Sequence, residues 1–336
     1  MNRTPIRTTN LKGSAHRNRL TPDATFRERR AVRWHFAAIV SIAVPACLPA
    51  ADAAAQWYVG VGVGGNASRD VIVESRSNDR ASVCDEYINP RALSVTGCTT
   101  PDRGAGDGWL APFDPGAGFS GEAELGFRLS PRWRLAAAYA RSATDFDQTV
   151  SSTDATGADF DKISNELSVG EETLGSATSN GFQIVAYRDW PNRSRWTPYA
   201  GAGMAVSRTR KDFSWLWARS AAPVDIATGL GEPNASEIRT NLAGTVSVGR
   251  RKLRDTMVGY VLIAGIDRHL SETVSAGLKA QWKSFEAFES DGYSGDLLRS
   301  HPPNLRLDGS EPVSAWSRSS DTGRFSALLT VRYAMR

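Results

Sequence analysis

Side chains alternate with a period of two in eight separate stretches of the chain, one of which, 258–270, is apolar on both faces in its middle before Asp267 and His269 share one face. Between Phe119 and Leu129, Phe119, Ala123, Leu125, Phe127 and Leu129 share one side, and Ser120, Glu122, Glu124 and Arg128 share the other. The same beat runs through Trp133, Leu135, Ala137 and Tyr139, through Phe182, Ile184 and Ala186, and through Pro198, Ala200, Ala202, Met204 and Val206. It returns in the segment 258–270, in Val274, Ala276, Leu278, Ala280 and Trp282, and in Phe325, Ala327, Leu329, Val331 and Tyr333. The first such stretch, "QWYVGVGVGG" from Gln56 to Gly65, alternates valine with glycine. A period of two places successive side chains on opposite faces of a strand, so these stretches predict eight strands.

The links between them are unequal in a regular way. The second and third strands are joined by "SPR", the fourth and fifth by "PNRSR", and the sixth and seventh by "SE". These are hairpin lengths. The alternate links, roughly 69–116, 147–177, 208–255 and 289–321, are long and polar. Structureless loops of that length are unusual in a compact soluble domain and normal on the outer face of a membrane barrel. The pattern predicts an all-β fold, an eight-stranded antiparallel up-and-down transmembrane β-barrel with four long extracellular loops. A secreted β-sandwich also alternates. Two details favour the barrel. Charges stand within the strands on the polar face, at Glu122, Glu124, Arg128, Arg134, Asp189, Asp267, Lys279 and Arg332, where a lumen lets them pair. Aromatics gather beside the short turns and chain ends, at Trp57, Trp133, Trp190, Trp196 and Tyr333, where a periplasmic-side girdle belongs. A second aromatic cluster, Phe213, Trp215, Trp217, Trp282 and Phe285, marks the far strand ends.

The opening "QWYVGVGVGG", the stretch "GEAELGFRLSPRWRLAAAYA" and above all "YRDWPNRSRWTPYAGAGMAVS" resemble the small outer-membrane barrels of the opacity-protein / OmpA-like β-barrel superfamily. The most specific part is Tyr187, Asp189, Trp190 and Pro191, a short turn, then Thr197, Pro198, Tyr199, Gly201 and Gly203. The resemblance covers the strands and not the loops. It implies insertion by the barrel-assembly machinery and a non-enzymatic surface role. Such barrels usually end on a terminal aromatic, whereas "VRYAMR" sets Tyr333 three residues from the terminus. With no peptidoglycan-binding domain after the strands, a tethering role is not expected.

Composition changes the picture mainly at the N-terminus. The 336-residue chain carries a formal net charge of +4. Residues 1–55 hold +6 of it, so 56–336 carry +4 less +6, or about −2. The stretch from His35 to Gln56 follows a basic segment, is interrupted by Pro45 and Pro49, and ends in "ADAAAQ". This is the layout of a secretory signal peptide, with cleavage expected after Ala55. The domains are therefore an N-terminal extension and signal peptide, 1–55, and an outer-membrane β-barrel domain, 56–336. Translation starts at Met1 or near Val32, the latter giving a signal of ordinary length. Arg29-Arg30 fits a twin-arginine signal poorly, and Pro45 sits badly before Cys47 in a lipobox. The basic charge thus belongs to a segment expected to be removed, and no nucleic-acid partner is implied.

Candidate chemistry is sparse. Two cysteines remain after cleavage, Cys84 and Cys98, and in an exported chain these most simply form one disulfide stapling a loop. No cofactor and no metal site are expected. The glycines Gly60, Gly62, Gly64, Gly201 and Gly203 fall on the lumen side, where they leave room for the long charged side chains of other strands. Eight strands leave an interior just wide enough for side chains to fill, so a wide aqueous pore is not expected. The expected function is a non-enzymatic surface protein serving envelope integrity, adhesion or host contact through its loops. The alternatives are a narrow ion or small-molecule channel and, last, a lipid-modifying enzyme. His269, Ser271 and Glu272 give a His-x-Ser, but at a short turn on the periplasmic side, away from outer-leaflet lipid. His301, with Asp296 and Asp308 in the same link, has no spacing that selects it. "RRKLRD", Arg250 to Asp255, is a basic cluster able to meet lipopolysaccharide phosphates, with a solvated loop edge as the simpler reading. The expected partners are outer-membrane lipid and lipopolysaccharide, the assembly machinery, and a host or surface ligand met through the loops.

Overall fold

The computed structural model describes residues 56–77, 83, 86–95, 108–154, 166–293, 298–299, 314–320 and 322–335. Residues 1–55, Cys84, Cys98, Asp296, His301 and Asp308 lie outside the described residues, and with them the expected cleavage site and disulfide. In chain order the strands are β1 (Gln56–Ser68), β2 (Val71–Ser77), β3 (Trp109–Phe113), β4 (Ala117–Ser130) and β5 (Trp133–Ser151). Next come β6 (Thr153–Asp154), β7 (Leu167–Asp189), β8 (Trp196–Arg219) and, after helix α1 (Ala235–Leu242), β9 (Val246–His269). The chain ends with β10 (Val274–Phe285), β11 (Phe288–Tyr293), β12 (Leu298–Arg299), β13 (Ser314–Ser319) and β14 (Arg324–Ala334).

Eight of these close a ring. The antiparallel order runs β10, β14, β1, β4, β5, β7, β8, β9, and β9 pairs again with β10. The first and last strands meet along their whole length, with Tyr58 opposite Ala334 and Ser68 opposite Arg324. A closed ring has no edge, and every backbone N–H and C=O finds a partner without water, which a strand must have to cross lipid. The outward face is apolar over about ten residues of each strand, the length that crosses a bilayer at the usual tilt. Val61, Val63, Phe119, Phe182, Ile184, Met204, Leu262, Leu278 and Leu329 are all exposed on it. Trp57, Trp133, Trp190, Trp196 and Tyr333 stand exposed at the short-turn end of this band.

Above the band the structure departs from the expectation of plain loops. β5, β7, β8 and β9 run on well past the apolar band. The other four ring strands break for a few residues and resume: β1 as β2, β4 from β3, β10 as β11, and β14 from β13. These continuations form a second sheet in the order β11, β13, β2, β3, β6. That order repeats the order of the ring strands below. The outer part therefore continues the same strand order as two sheets that pack against each other. The break between β3 and β4 has a local cause. Pro115 cannot donate to a ladder, and a side chain at Gly116 would meet the Phe146 ring at 2.9 Å.

The two outer sheets enclose an apolar core. Val71, Val73, Ala111, Phe113 and Phe288 from the second sheet pack against Phe146, Leu174, Ala177, Phe213, Leu253 and Met257 of the continuing ring strands. Three of the far aromatics belong here: Phe213 is buried in this core, and Trp215 and Phe285 pack against it, whereas Trp282 keeps the outward parity of Leu278. A cap lies beyond, where Ile88 meets Ile226, Ile238 and Leu242 around α1. Asn234 Nδ2 donates to Asn89 Oδ1 at 2.9 Å and Asn241 Nδ2 to the Ile88 carbonyl at 2.8 Å, tying the two segments together.

Candidate functional site

The interior of the ring holds a dense polar network, supplied by alternate residues of every ring strand. Glu124 on β4 accepts from Tyr58 on β1 at 2.8 Å, from Tyr187 on β7 at 2.8 Å and from Lys279 on β10 at 2.8 Å. Lys279 also pairs with Glu122, which accepts from Gln281 Nε2 at 2.5 Å. Arg134 on β5 clamps Asp189 on β7 through Nη2 at 2.8 Å and Nε at 3.1 Å. Its guanidinium lies over the rings of Tyr187, Tyr199 and Tyr58, at 4.8, 5.0 and 5.6 Å. Arg332 on β14 pairs with Asp267 on β9 and donates to Tyr199 Oη at 3.1 Å. All seven of these charged groups are buried. Arg128, predicted to share the lumen, is half-buried at the strand end and makes no ion pair among the described residues. Ions taken out of water this way are costly singly and tolerable only when each finds its partner.

The glycines are explained by two different contacts. A Cβ at Gly60 would stand 3.2 Å from Arg332 Cγ, and one at Gly62 would stand 3.2 Å from both Glu122 Cγ and Thr330 Cγ2. Here the missing side chain is the room that the charged chains occupy. At Gly64 and Gly203 the obstacle is the neighbouring backbone, the carbonyls of Ala327 and Ile184. Gly201 lies 2.7 Å from Tyr187 Cδ1 by the same measure. Gly126 and Gly265, which alternation alone does not single out, lie directly under the rings of Tyr58 and Tyr199.

One level outward the lumen changes character. A cavity of about 30 Å³ is lined by Ser142, Ser179, Ser207 and Ser326, with Gln183, Gln281 and Glu122 at its floor and Lys283 and Arg324 in its wall. That volume holds a small ion or two waters and no organic ligand. Arg324 donates through Nη1 to Ser142 Oγ, while its Nε is fully buried with no partner. These two cations were not read from the sequence as lumen residues. They could have been, since Lys283 continues the Lys279, Gln281 parity and Arg324 that of Arg332. Still further out, Lys211 Nζ donates to Ser319 Oγ at 2.6 Å and sits 4.4 Å from the Phe288 ring centroid. In the outer core, well outside the membrane band, Glu172 accepts from Trp109 Nε1, and its other oxygen has no partner among the described residues. Burial pushes the Glu172 carboxyl up to about 8, against the smaller downward pull of the Trp109 bond.

The sequence offered one Ser–His pair for catalysis. His269 Nε2 lies 3.2 Å from Thr197 Oγ1, and the Ser271 hydroxyl accepts from the Val274 amide at 3.0 Å to shape the turn. Among the described residues the two side chains make no hydrogen bond to each other, and no group of three His, Cys, Asp or Glu is placed to hold a metal ion.

A closed antiparallel ring, an outward apolar band with aromatics at one rim, and a charge-paired lumen define an eight-stranded transmembrane β-barrel of the outer-membrane type. No family model matches the sequence, and no curated protein matches it. Solved structures with a similar arrangement include neisserial surface protein A, at 12% identity over 84% of this chain and 99% of that one, with a TM-score of 0.31. Another is the outer membrane protein OprG of Pseudomonas aeruginosa, at 8% identity over 84% of this chain and 96% of that one, TM-score 0.41. The outer membrane protease OmpT of Escherichia coli is at 8% over 83% of this chain and 97% of that one, TM-score 0.31.

Proposed function

We propose that this protein is a non-enzymatic surface protein of the outer membrane. Its barrel is an anchor, and its function lies in the β-built head that the barrel raises above the membrane. The observation that carries this reading is the double closure of the interior. Ion pairs and tyrosine rings fill the membrane part, and an apolar core fills the head. A narrow interior packed in this way favours an anchor over a channel. The engaged His269 and Ser271 offer no nucleophile and base in contact. What remains for chemistry with a partner is the outer surface, including the cap around α1. On this reading the head meets a host or environmental surface, and lipopolysaccharide surrounds its base.

The test replaces residues 221–243 by a short Gly-Ser linker in cells displaying the full protein. Membrane insertion is checked by the faster migration of the unboiled protein on a gel. Surface attachment should fall severalfold with insertion intact. Equal attachment of the two strains sinks the reading. The channel alternative is tested separately, since the purified barrel in a planar bilayer should give no stable conductance steps.

A further inference from the structure

The cavity above the charge network is built like an anion site. Lys283 on β10 and Arg324 on β14 are directly opposite each other in the sheet register, and both point inward. Like charges opposite one another on neighbouring strands destabilise the pair, and more so in a water-poor interior. Among the described residues neither makes an ion pair with a carboxylate. Glu122, the carboxylate in the cavity floor, is already committed to Lys279 and Gln281. Lys283 makes no hydrogen bond among the described residues. Among the described residues Arg324 reaches only the neutral Ser142, and its buried Nε has no partner. Four carboxylates (Glu122, Glu124, Asp189 and Asp267) face five cations (Arg134, Lys279, Arg332, Lys283 and Arg324), so the membrane part of the lumen carries a surplus positive charge located at this cavity. The serines lining the walls come from β5, β7, β8 and β14, and each offers a hydroxyl donor.

We infer that this chamber binds one small monovalent anion of the halide class between Lys283 and Arg324. The ion would accept from Arg324 Nε, the Lys283 ammonium and the wall hydroxyls, and its charge would cancel the surplus. Size sets the class, because about 30 Å³ admits a single halide and not a sugar phosphate or a carboxylic acid. The site is structural, an internal counter-ion for the barrel, and it is independent of what the head binds.

Refolded protein in detergent provides the test, with thermal unfolding followed at constant ionic strength in sodium chloride, sodium bromide or sodium gluconate, whose anion is too large to enter. Halide should raise the unfolding midpoint saturably over gluconate. Lys283→Met should lose that rise, and in gluconate it should unfold no earlier than the wild type, because the repulsion is gone. Crystals of protein refolded in bromide should show one anomalous peak between the two cations. Should Lys283→Met fail to fold, the wild-type midpoints and the anomalous map decide alone. Equal wild-type midpoints in chloride and gluconate, or a chamber without bromide, overturn the inference.

Discussion

At the scale of single residues, the interior converts small changes into large costs. Lys279 is the cation shared by Glu122 and Glu124. Replacing it with methionine leaves both carboxylates buried beside each other, so Lys279→Met should lower unfolding stability by about 3–5 kcal/mol, measured by urea unfolding in lipid vesicles. The glycine strand gives a directional contrast. Gly62→Leu forces a side chain into Glu122 and Thr330, while Val61→Leu only adds a methylene facing lipid. The first should abolish or sharply reduce refolding yield and the second leave it near the wild type; equal yields would show that the glycine is not there for space. Glu172 predicts a pH effect with a definite sign. Its folded-state carboxyl is raised to about 8 from an ordinary value of 4.5. Over that window the folded form holds a proton that the unfolded form has lost, so stability is fully present below the window and falls as pH rises through it. The head should become more sensitive to protease between pH 5 and pH 9. Glu172→Gln, which keeps an acceptor for Trp109, should flatten the profile and resist digestion at pH 9.

At the scale of elements, the membrane part of each strand was legible because lipid and lumen impose opposite demands on successive residues. The outer continuations were not. There one face meets water and the other a core, but the pattern is interrupted. β7 and β5 slip register between Asp145 and Gln148, β7 and β8 slip between Leu174 and Ala177, and the breaks around Pro115 and Gly323 end the beat. The stretch 167–177 therefore read as a polar link, although Leu174 is wholly buried. In the lumen, alternation gave the side of each charge but not its partner, since partners such as Lys279 and Glu122 are set by ring closure far along the chain. The head should respond as its own packing unit. Phe213→Ala should cost it about 3–5 kcal/mol and open it to protease, while the unboiled gel shift of the membrane part persists. β9 also redraws the basic cluster, which is strand and not loop edge. Arg250 and Arg254 face outward above the apolar band, with Arg254 opposite Arg210 on β8. Arg251 turns inward, its guanidinium 3.5 Å from Ser317 Oγ. Arg250→Ser with Arg254→Ser should raise sensitivity to hydrophobic antibiotics if these side chains hold lipopolysaccharide phosphates, and Arg251→Ser should act through the head instead. An unchanged envelope in the first variant removes the lipid contact.

At the scale of the whole molecule, the proposed anchor role treats the cylinder as closed twice along one axis. The lower seal is polar, with Arg134 between Asp189 and three tyrosine rings and Arg332 between Asp267 and Tyr199. The upper seal is the apolar core of the head. Two seals in series make permeability a non-additive property. Opening one leaves the other across the same path, so conductance requires both to fail. Arg134→Ala alone removes the cation under the tyrosines but leaves the head core intact. Phe213→Ser alone wets the head but leaves the ion-paired layer across the membrane. In planar bilayers each single variant should be as silent as the wild type, and only the combination should give flickering steps. Stable steps from the wild type would mean that neither layer is closed. Steps from Arg134→Ala alone would mean that the head does not seal, and either result would shift the reading from anchor towards channel.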